Sequence, residues 1–386
     1  MKGTAAQSCG PDGRKGFRTG GKRLRKKKKG GFFRGLLKVI GTLLLAVIIF
    51  VAGFFGFLSI TEFRPEDTEA LKLEGSPDEG LIPAGETVRI ISWNLGFGAL
   101  GDNADFFMDG GTMVRPSDEK RVISNLEKLV NGTQTETPDI VFLQEIDRDS
   151  RRSYHIDQLT YFRSALQGYT STFATNFKVA FLPYPVPPIG KVDSGIAVFS
   201  RYAIDSAERV KLPSPFKWPV RMANLKRCLL VSRMTVEGSG KELVLINLHL
   251  EAYDDGDGKI AQTKMLKELM EAEREKGNYV IVGGDFNQLF SSVDNGLFPQ
   301  QGDLWQSGDI DVTEFDPSWQ FFQDEKTPSC RSLDKPYAGA DHSTFQYYQI
   351  DGFIVSGNIA VSRFEVIPHD FVCSDHDPVV MEFTLQ

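Results

Sequence analysis

Acidic, amide and imidazole side chains interrupt apolar runs at several places in this chain. The interrupting residues are Asn94, Glu145, His249, Asp285, Asn287, Asp351, Asp375 and His376. Because each unpaired polar group costs of order 1–3 kcal/mol to bury, the simplest explanation is that these side chains converge around a cation. Carboxylate and amide oxygens without a thiolate suit a hard ion. We therefore expect Mg²⁺ at this site, with Mn²⁺ or Ca²⁺ as alternatives.

The same residue types fit the hydrolysis of a phosphate ester. A phosphate ester is anionic and resists attack by water, and a cation together with an imidazolium lowers that repulsion. An aspartate next to a water molecule can act as a base. An aspartate behind a histidine fixes its tautomer and keeps it charged. This chemistry requires that the polar side chains meet in one place.

These polar residues lie at or near the ends of predicted elements. Strands are predicted at Val88–Asn94, Asp139–Glu145, Gly195–Arg201, Cys228–Val236, Glu242–Leu250, Tyr279–Asn287, Ile350–Ser356, Val361–Ile367 and Val379–Leu385. The spacing of apolar residues predicts helices over Ser117–Val130, Tyr154–Leu166 and Ile260–Lys276. In Glu242–Leu250 the alternation places Asn247 and His249 on one face, so we expect both to point the same way.

Strands and helices alternate through residues 86–386, and both strand–helix–strand and hairpin-like steps occur. This order predicts an α/β (α+β) domain in which two mixed β-sheets pack together with helices outside, which is a four-layer α/β sandwich. Residues 290–340 are turn-rich with weak periodicity. Loops of that length usually have a functional or binding role.

A series of short blocks carries a family resemblance. The blocks are ISWNLG, PDIVFLQEID, DSGIAVFSR, INLHLEA, GGDFNQ, QIDGFIVS and SDHDPV, in order from about residue 86 to the C-terminus. Each block alone is a weak signal, but the ordered series resembles the endonuclease/exonuclease/phosphatase superfamily, also called the deoxyribonuclease-I-like fold. The resemblance implies a metal-dependent phosphoric ester hydrolase with an intact site.

The resemblance also implies individual roles. Asn94, Glu145 and Asp375 match positions at or near the metal, Glu145 being the principal ligand. The matched catalytic positions are His249, Asp285, Asn287, Asp351 and His376. In this scheme Asp285 orients or deprotonates the attacking water, and Asp351 orients His376. Accounts of the family differ on which of Asp285 and His376 is the decisive base, so that question stays open here.

The substrate is less defined than the chemistry. The N-L-H block, which contains His249, resembles branches that hold deoxyribonuclease I, sphingomyelinases and inositol-phosphate phosphatases. The Trp-x-Asp-Arg pattern of inositol 5-phosphatases is absent, because the corresponding block reads QIDGFIVS. That leaves a phosphodiesterase acting on lipid head groups or on extracellular nucleic acid, and the membrane anchor and acidic body described below favour the lipid. An extracytoplasmic nuclease and a non-catalytic binding protein that reuses the fold are the alternatives.

A basic tail is joined to an acidic body. Residues 1–38 contain thirteen of the 44 Lys and Arg and one of the 51 Asp and Glu, so this tail carries +12 and the remainder −19 of the net −7. The tail is Gly-rich with little to bury, and we expect it to be disordered. An acidic body argues mildly against non-specific nucleic-acid binding, although bound cations reverse the local field.

Residues 39–61 contain no charged residue and are long enough to cross a bilayer once. The basic run Lys22–Lys29 precedes them, and such a cluster stays cytoplasmic. We therefore expect a single-pass anchor with the N-terminus in the cytoplasm, residues 62–85 as a polar linker, and residues 86–386 as an extracytoplasmic catalytic domain. A cleaved signal peptide is the alternative, but it would be shorter and end in a small-residue cleavage site.

The remaining chemically active residues carry less information. The cysteines have no zinc-type spacing, so we expect them to be buried or free without a framework role; they are Cys9, Cys228, Cys330 and Cys373. Three histidines match no motif and are interpreted as structural or surface groups: His155, His342 and His369. Arg148, Arg151 and Arg152 are interpreted as a solvated helix start. No feature indicates an obligate protein partner.

Overall fold

The computed structural model describes Gly16, residues 30–254 and residues 256–386. The chain divides into two compact units, Met1–Phe54 and Phe55–Gln386. Helix α1 extends over Gly30–Ile60, and Gly31–Ile60 is long and apolar enough to cross a membrane, with a mean hydropathy of 2.8. The helix begins nine residues before the predicted span. Most of the tail that we expect to be disordered lies outside the described residues.

Three further helices and eighteen strands form the rest of the described chain. The helices are α2 Glu119–Thr135, α3 Gln158–Ala165 and α4 Asp257–Glu275. The strands are β1 Thr68–Ala70, β2 Glu74–Gly75, β3 Thr87–Asn94, β4 Ile140–Asp147, β5 Thr170–Leu182, β6 Gly190–Ser200, β7 Ser206–Lys211, β8 Cys228–Thr235, β9 Glu242–His249, β10 Tyr279–Asp285, β11 Gln288–Phe290, β12 Gly308–Ile310, β13 Gln320–Phe322, β14 Cys330–Arg331, β15 Tyr347–Tyr348, β16 Asp351–Val355, β17 Ile359–Val366 and β18 Val379–Leu385.

Two seven-stranded sheets dominate this fold. The first has the order β1-β7-β8-β9-β10-β16-β13 and the second β17-β18-β3-β4-β6-β5-β2. The pairs β9/β10 and β3/β4 are parallel, and the other pairs within these two sheets are antiparallel. Two small two-stranded sheets, β11/β12 and β14/β15, lie in or beside the turn-rich segment, between residues 288 and 348. The prediction of two mixed sheets is confirmed.

Apolar side chains of the two large sheets form the central core between them. Phe142 of the second sheet and Leu245, Ile281 and Phe353 of the first belong to one fully buried cluster. Burial of such side chains stabilises the fold by about 1.5–3 kcal/mol each. The contact between the sheets therefore contributes substantially to the stability of the fold.

Helices cover the outer faces of both sheets. Leu126 of α2 and Phe162 of α3 pack on the second sheet, and Leu266 and Met270 of α4 pack on the first. Local capping defines where two of the helices begin, because Asp118 and Asp157 accept hydrogen bonds from backbone N–H groups of the first turn. The layers are helix, sheet, sheet and helix, which confirms the predicted four-layer sandwich.

Several strand regions differ from the sequence interpretation, including β13, which joins the first sheet from the turn-rich segment. The segment predicted as a polar linker contributes β1 and β2 to the edges of the two sheets, and its Ile82 is fully buried. Strands β5 and β7 were not predicted. In β5 the buried residues include Thr and Ser, so the apolar alternation that marks a half-buried strand is missing.

The register of the first sheet places three polar residues side by side. Asp285 at the end of β10 lies opposite His249 at the end of β9 and opposite Asp351 at the start of β16. In the second sheet, β3 ends at Asn94 beside β4. Pairing of the strands therefore brings polar residues that are distant in sequence together at the ends of central strands.

Candidate active site

Asp285 makes polar contacts to two neighbouring segments. Its Oδ1 accepts a hydrogen bond from the backbone N–H of Asn287 at 2.9 Å, and its Oδ2 accepts one from Nδ2 of Asn94 at 3.0 Å. The same Oδ2 lies 3.4 Å from Nε2 of His249. Burial raises the pKa of Asp285 to about 7, and the nearby Asp351 carboxylate adds to the shift. A carboxyl group with this pKa can exchange a proton near neutral pH.

His376 is held by groups on both of its sides. Its Nδ1 hydrogen bonds to Oδ2 of Asp351 at 2.7 Å, and its carbonyl accepts from Nε1 of Trp93 at 2.8 Å. Its Nε2 lies 3.9 Å from Oδ2 of Asp285. Burial alone would lower the pKa of His376, but the Asp351 carboxylate raises it well above its usual value. The Asp351 carboxylate therefore favours the imidazolium form of His376.

Glu145 and Asp375 form the acidic side of the site. Glu145 lies at a register shift between Leu143 and Ile146 of β4, with a φ of 52°. Such a bulge redirects a side chain out of the regular alternation. Burial raises the pKa of both carboxyl groups, and the charge on Asp375 raises that of Glu145 further. The protein alone thus leaves these two carboxylates incompletely balanced.

Asn94 differs from the expected metal ligand. Its Nδ2 donates to Asp285 and, at 3.3 Å, to Oε1 of Glu145, whereas its Oδ1 accepts from the backbone N–H of Gly96 at 3.0 Å. The amide therefore presents hydrogen-bond donors to the two carboxylates. In this arrangement the Asn94 amide nitrogen orients the two acidic groups, and its oxygen faces the N–H of Gly96.

His249 and Asn287 lie beside Asp285, as the register requires. Burial, together with the charge of Arg227, lowers the pKa of His249 well below its ordinary value, so its ring is neutral. Its Nδ1 is buried without a hydrogen-bond partner among the described residues. Nδ2 of Asn287 donates to the carbonyl of Leu250 at 3.0 Å, and its φ of 51° lies in the left-handed region.

Asn247 does not reach the site. It is fully buried between the sheets, where its Oδ1 accepts from Nε2 of Gln144 at 2.7 Å. Its Nδ2 donates to the carbonyls of Leu143 and Ala197. Asn247 and His249 share one face of β9, but only His249 lies at the end of the strand, beside the site.

Three groups that the sequence analysis did not place in the site face it. Tyr253 donates a hydrogen bond to Oδ1 of Asp109 at 3.0 Å, which links two loops. Burial raises the pKa of Asp109 to about 7, with further contributions from Asp375 and Glu145. The thiol of Cys330 also lies near Asp375. None of the three belongs to a recognisable motif, and no sequence signal identifies them.

The interpretation of Arg152 as a solvated residue is wrong. Its guanidinium binds both carboxylate oxygens of Asp147, at 2.9 and 3.1 Å, and lies 3.8 Å from the ring centroid of Phe97. Its charge lowers the pKa of Glu145 against the effect of burial. Arg152 is therefore a packed part of the acidic side of the site.

The other histidines and the cysteines agree with their structural interpretation. His369 packs on Trp93 with ring centroids 4.9 Å apart, His342 stacks on Tyr337, and His155 pairs with Asp149. The described cysteines are free and buried: Cys228, Cys330 and Cys373.

Several proteins of known structure are similar to this chain. Two solved structures, each 19% identical and matched over 78% of this chain, are an endonuclease/exonuclease/phosphatase from Beutenbergia cavernae DSM 12333 (72% of that chain, TM-score 0.52) and an endonuclease/exonuclease/phosphatase family protein from Bacteroides thetaiotaomicron (96%, 0.50). The human Nocturnin catalytic domain with bound sulfate is 15% identical over 82% of this chain and 97% of its own, with a TM-score of 0.48. At these identities the likeness concerns the fold. No match is found among the curated proteins. The family profile matches residues 91–376, and the chain belongs to the endonuclease/exonuclease/phosphatase family.

Proposed function

We propose that this chain is a membrane-anchored, divalent-metal-dependent hydrolase of a phosphodiester, with a lipid head group as the favoured substrate. One observation carries the proposal. Asp285, whose pKa is about 7, lies 3.9 Å from the imidazole of His376, which is held protonated by Asp351. A base and an acid with separated pKa values in one buried site are the arrangement that hydrolysis near neutral pH requires.

The donor set fits a hard divalent cation. Glu145 and Asp375 supply carboxylate oxygens, and burial raises the pKa of both, so a cation would relieve their unbalanced charge. Mg²⁺ prefers carboxylate oxygens and keeps several of its waters, which agrees with a site that offers two acidic residues. When bound, the ion would withdraw charge from the phosphoryl oxygens. Mn²⁺ and Ca²⁺ share this oxygen preference.

The chain's own residues divide the proton transfers. Asp285 accepts a proton from the attacking water, and its position is fixed by the hydrogen bonds from Asn94 and the N–H of Asn287. His376 donates from Nε2 to the phosphoryl or leaving oxygen, because its Nδ1 proton is held by Asp351. The neutral His249 ring lies beside Asp285 and contributes a hydrogen bond to the substrate. Because the pKa of His249 is lowered, its ring does not compete with Asp285 for the proton of the attacking water.

The lipid preference rests on the N-terminal segment and on charge. Helix α1 is apolar enough to span a bilayer, and anchoring raises the effective concentration of a membrane substrate. The residues after the basic tail carry −19, which disfavours a polyanion such as DNA. The basic run Lys22–Lys29 supports a cytoplasmic N-terminus and an extracytoplasmic catalytic domain.

A side-by-side turnover assay tests the substrate class. The full chain in detergent micelles is supplied with Mg²⁺ and offered plasmid DNA, sphingomyelin or phosphoinositide in mixed micelles, and bis-nitrophenyl phosphate, with Glu145→Ala as control. We expect lipid hydrolysis that the variant loses. Preferred cleavage of DNA would support the nuclease alternative. Binding of these ligands without turnover would support a non-catalytic role.

Protease protection tests the orientation. In sealed cells or vesicles of known sidedness, the catalytic unit should be digested only from the non-cytoplasmic side. Digestion from the cytoplasmic side alone would reverse the proposed topology.

A further inference from the structure

The thiol of Cys330 is fixed against two residues of the proposed active site. Cys330 forms an isolated antiparallel bridge with His376. Main-chain hydrogen bonds on either side of this bridge, at 3.1 and 2.8 Å, join residues 329–331 to residues 375–377. Because directly opposed residues of antiparallel chains project to the same face, the backbone places the Cys330 thiol beside the His376 imidazole.

These three side chains offer one ligand atom each within a small volume. Sγ of Cys330, a ring nitrogen of His376 and a carboxylate oxygen of Asp375 all lie within 4.8 Å of one another, and all three residues are buried. Tetrahedral Zn²⁺ with bonds of about 2.0–2.3 Å needs ligand atoms about 3.5 Å apart. Side-chain rotations that close these gaps, by at most about 1.3 Å, would complete three of the four positions.

The imidazole is already oriented as a metal ligand. Its Nδ1 is held by Asp351 at 2.7 Å, so Nε2 is the nitrogen left for coordination. Metal-ligating histidines commonly donate their other N–H to a carboxylate in this way, which fixes the ring and strengthens the ligand. The geometry thus supplies both the ligand set and the group that supports it.

We propose that Cys330, Asp375 and His376 form a binding site for Zn²⁺, distinct in its chemistry from the Mg²⁺ site, and that occupation of it blocks hydrolysis. Binding replaces the thiol proton and the Nε2 proton of His376, and both protons leave to solvent. No oxidation or reduction takes place.

The choice between the two ions follows from the hardness of the ligands. Mg²⁺ binds carboxylate oxygens and avoids thiolates, so it uses Asp375 but not Cys330. Zn²⁺ accepts sulfur, nitrogen and oxygen together. Because Zn²⁺ would occupy Nε2 of His376 and withdraw Asp375 from the other ion, it removes an acid and a metal ligand at once. This inhibitory part of the inference rests on the proposed hydrolase function.

Cobalt substitution tests the site without relying on turnover. Co²⁺ is added to the full chain in detergent micelles, and the near-ultraviolet thiolate-to-cobalt charge-transfer band is followed. We expect a band that saturates at one equivalent, is removed by Zn²⁺, and is lost in Cys330→Ser. The matched controls Cys228→Ala and Cys9→Ser should keep it. Circular dichroism confirms that each variant is folded, and His376→Gln gives a second variant that should weaken the band.

The outcomes separate the site from the function. A band that persists in Cys330→Ser, or wild-type protein that binds Co²⁺ without a band, overturns the site.

Inhibition of Mg²⁺-supported turnover by Zn²⁺ is then measured, and the rate of each variant is compared with its own uninhibited rate. Cys330→Ser should need about 10-fold or more Zn²⁺ for half-inhibition, and an unchanged value overturns the inhibitory role. If no variant hydrolyses any ester, the hydrolase proposal fails while the cobalt band still decides the metal site.

Discussion

The Nδ1–H of His376 donates a hydrogen bond to Oδ2 of Asp351 at 2.7 Å, while Nε2 of the same ring lies 3.9 Å from Oδ2 of Asp285. The imidazole therefore lies between two carboxylates of the first sheet. One of them keeps the ring charged, and the other has a pKa of about 7 that allows it to take up a proton. The proposed chemistry depends on this difference between the two carboxyl groups, because Asp351 stabilises the charged ring and Asp285 accepts a proton.

Asp351→Asn should lower turnover by about 100-fold or more, because a general acid contributes roughly 10²–10⁴-fold. The amide cannot stabilise the imidazolium, so the pKa of His376 falls. The alkaline limb of the kcat–pH profile should then move to lower pH. The profile is measured for wild type, for this variant, and for Asp303→Asn, an exposed control. An alkaline limb that stays in place would show that Asp351 does not set the charge of His376.

Asp285→Asn should reduce turnover by about 10²–10⁴-fold and also change how stability depends on pH. The pKa of Asp285 is raised from 3.8 to about 7 in the folded protein. Between these values the folded state binds more protons than the unfolded state, so this residue makes stability fall as the pH rises. The Tm of the variant relative to wild type should therefore improve from pH 4 to pH 8 in the presence of EDTA. A relative Tm that worsens over this range would contradict the raised pKa.

Asp109→Asn should weaken Mg²⁺ binding by about 5-fold at pH 8.5, since a neighbouring unit charge contributes of order 1 kcal/mol in a partly screened site. At pH 5.5 the effect should be small, because the pKa of Asp109 is about 7 and the group is then neutral in wild type. Half-saturation by Mg²⁺ is measured at both values. Tyr253→Phe, which removes the loop–loop hydrogen bond but keeps the carboxylate, is the control at the higher pH. Equal losses at both pH values would point to packing instead of charge.

Asn247→Ala should destabilise the fold by about 3 kcal/mol, because it leaves buried partners without hydrogen bonds. The lost contacts are those to Gln144 and to two main-chain carbonyls between the sheets. Ser232→Ala is the matched control. The buried Ser232 hydroxyl has no hydrogen-bond partner among the described residues, so its loss should be neutral or stabilising. Denaturant unfolding measures both, and equal effects of the two variants would contradict the assignment.

The sequence predicted the layers and the convergence of the polar residues because both depend on local patterns. Strands such as β4 and β10 can be predicted because they are continuous apolar runs. The polar residues at their ends can be recognised because they interrupt those runs. Strand β5 escaped prediction because its buried positions include Thr and Ser, whose burial depends on neighbouring strands. The predicted linker contains two edge strands, β1 and β2. They could not be predicted because their pairing partners, β7 and β5, are distant in sequence.

Side-chain direction was the least predictable property. The type of residue at position 94 suggested an oxygen ligand, yet its amide nitrogen faces Glu145 and Asp285. Alternation in β9 predicts the correct face for Asn247, but it does not show that this residue lies between the sheets and away from the site. Arg152 looked solvated, although Phe97 and Asp147 hold it. Each of these outcomes is decided by tertiary neighbours that no local spacing encodes.

The most direct test of the central claim is a Mg²⁺ titration of bis-nitrophenyl phosphate hydrolysis by the full chain in detergent micelles, with wild type and Asp285→Asn in parallel. We predict turnover that is absent in EDTA, rises to saturation with Mg²⁺, and is reduced by about 10²–10⁴-fold in the variant. Hydrolysis that continues in EDTA, or that the variant retains in full, would contradict a metal-dependent phosphoesterase centred on Asp285.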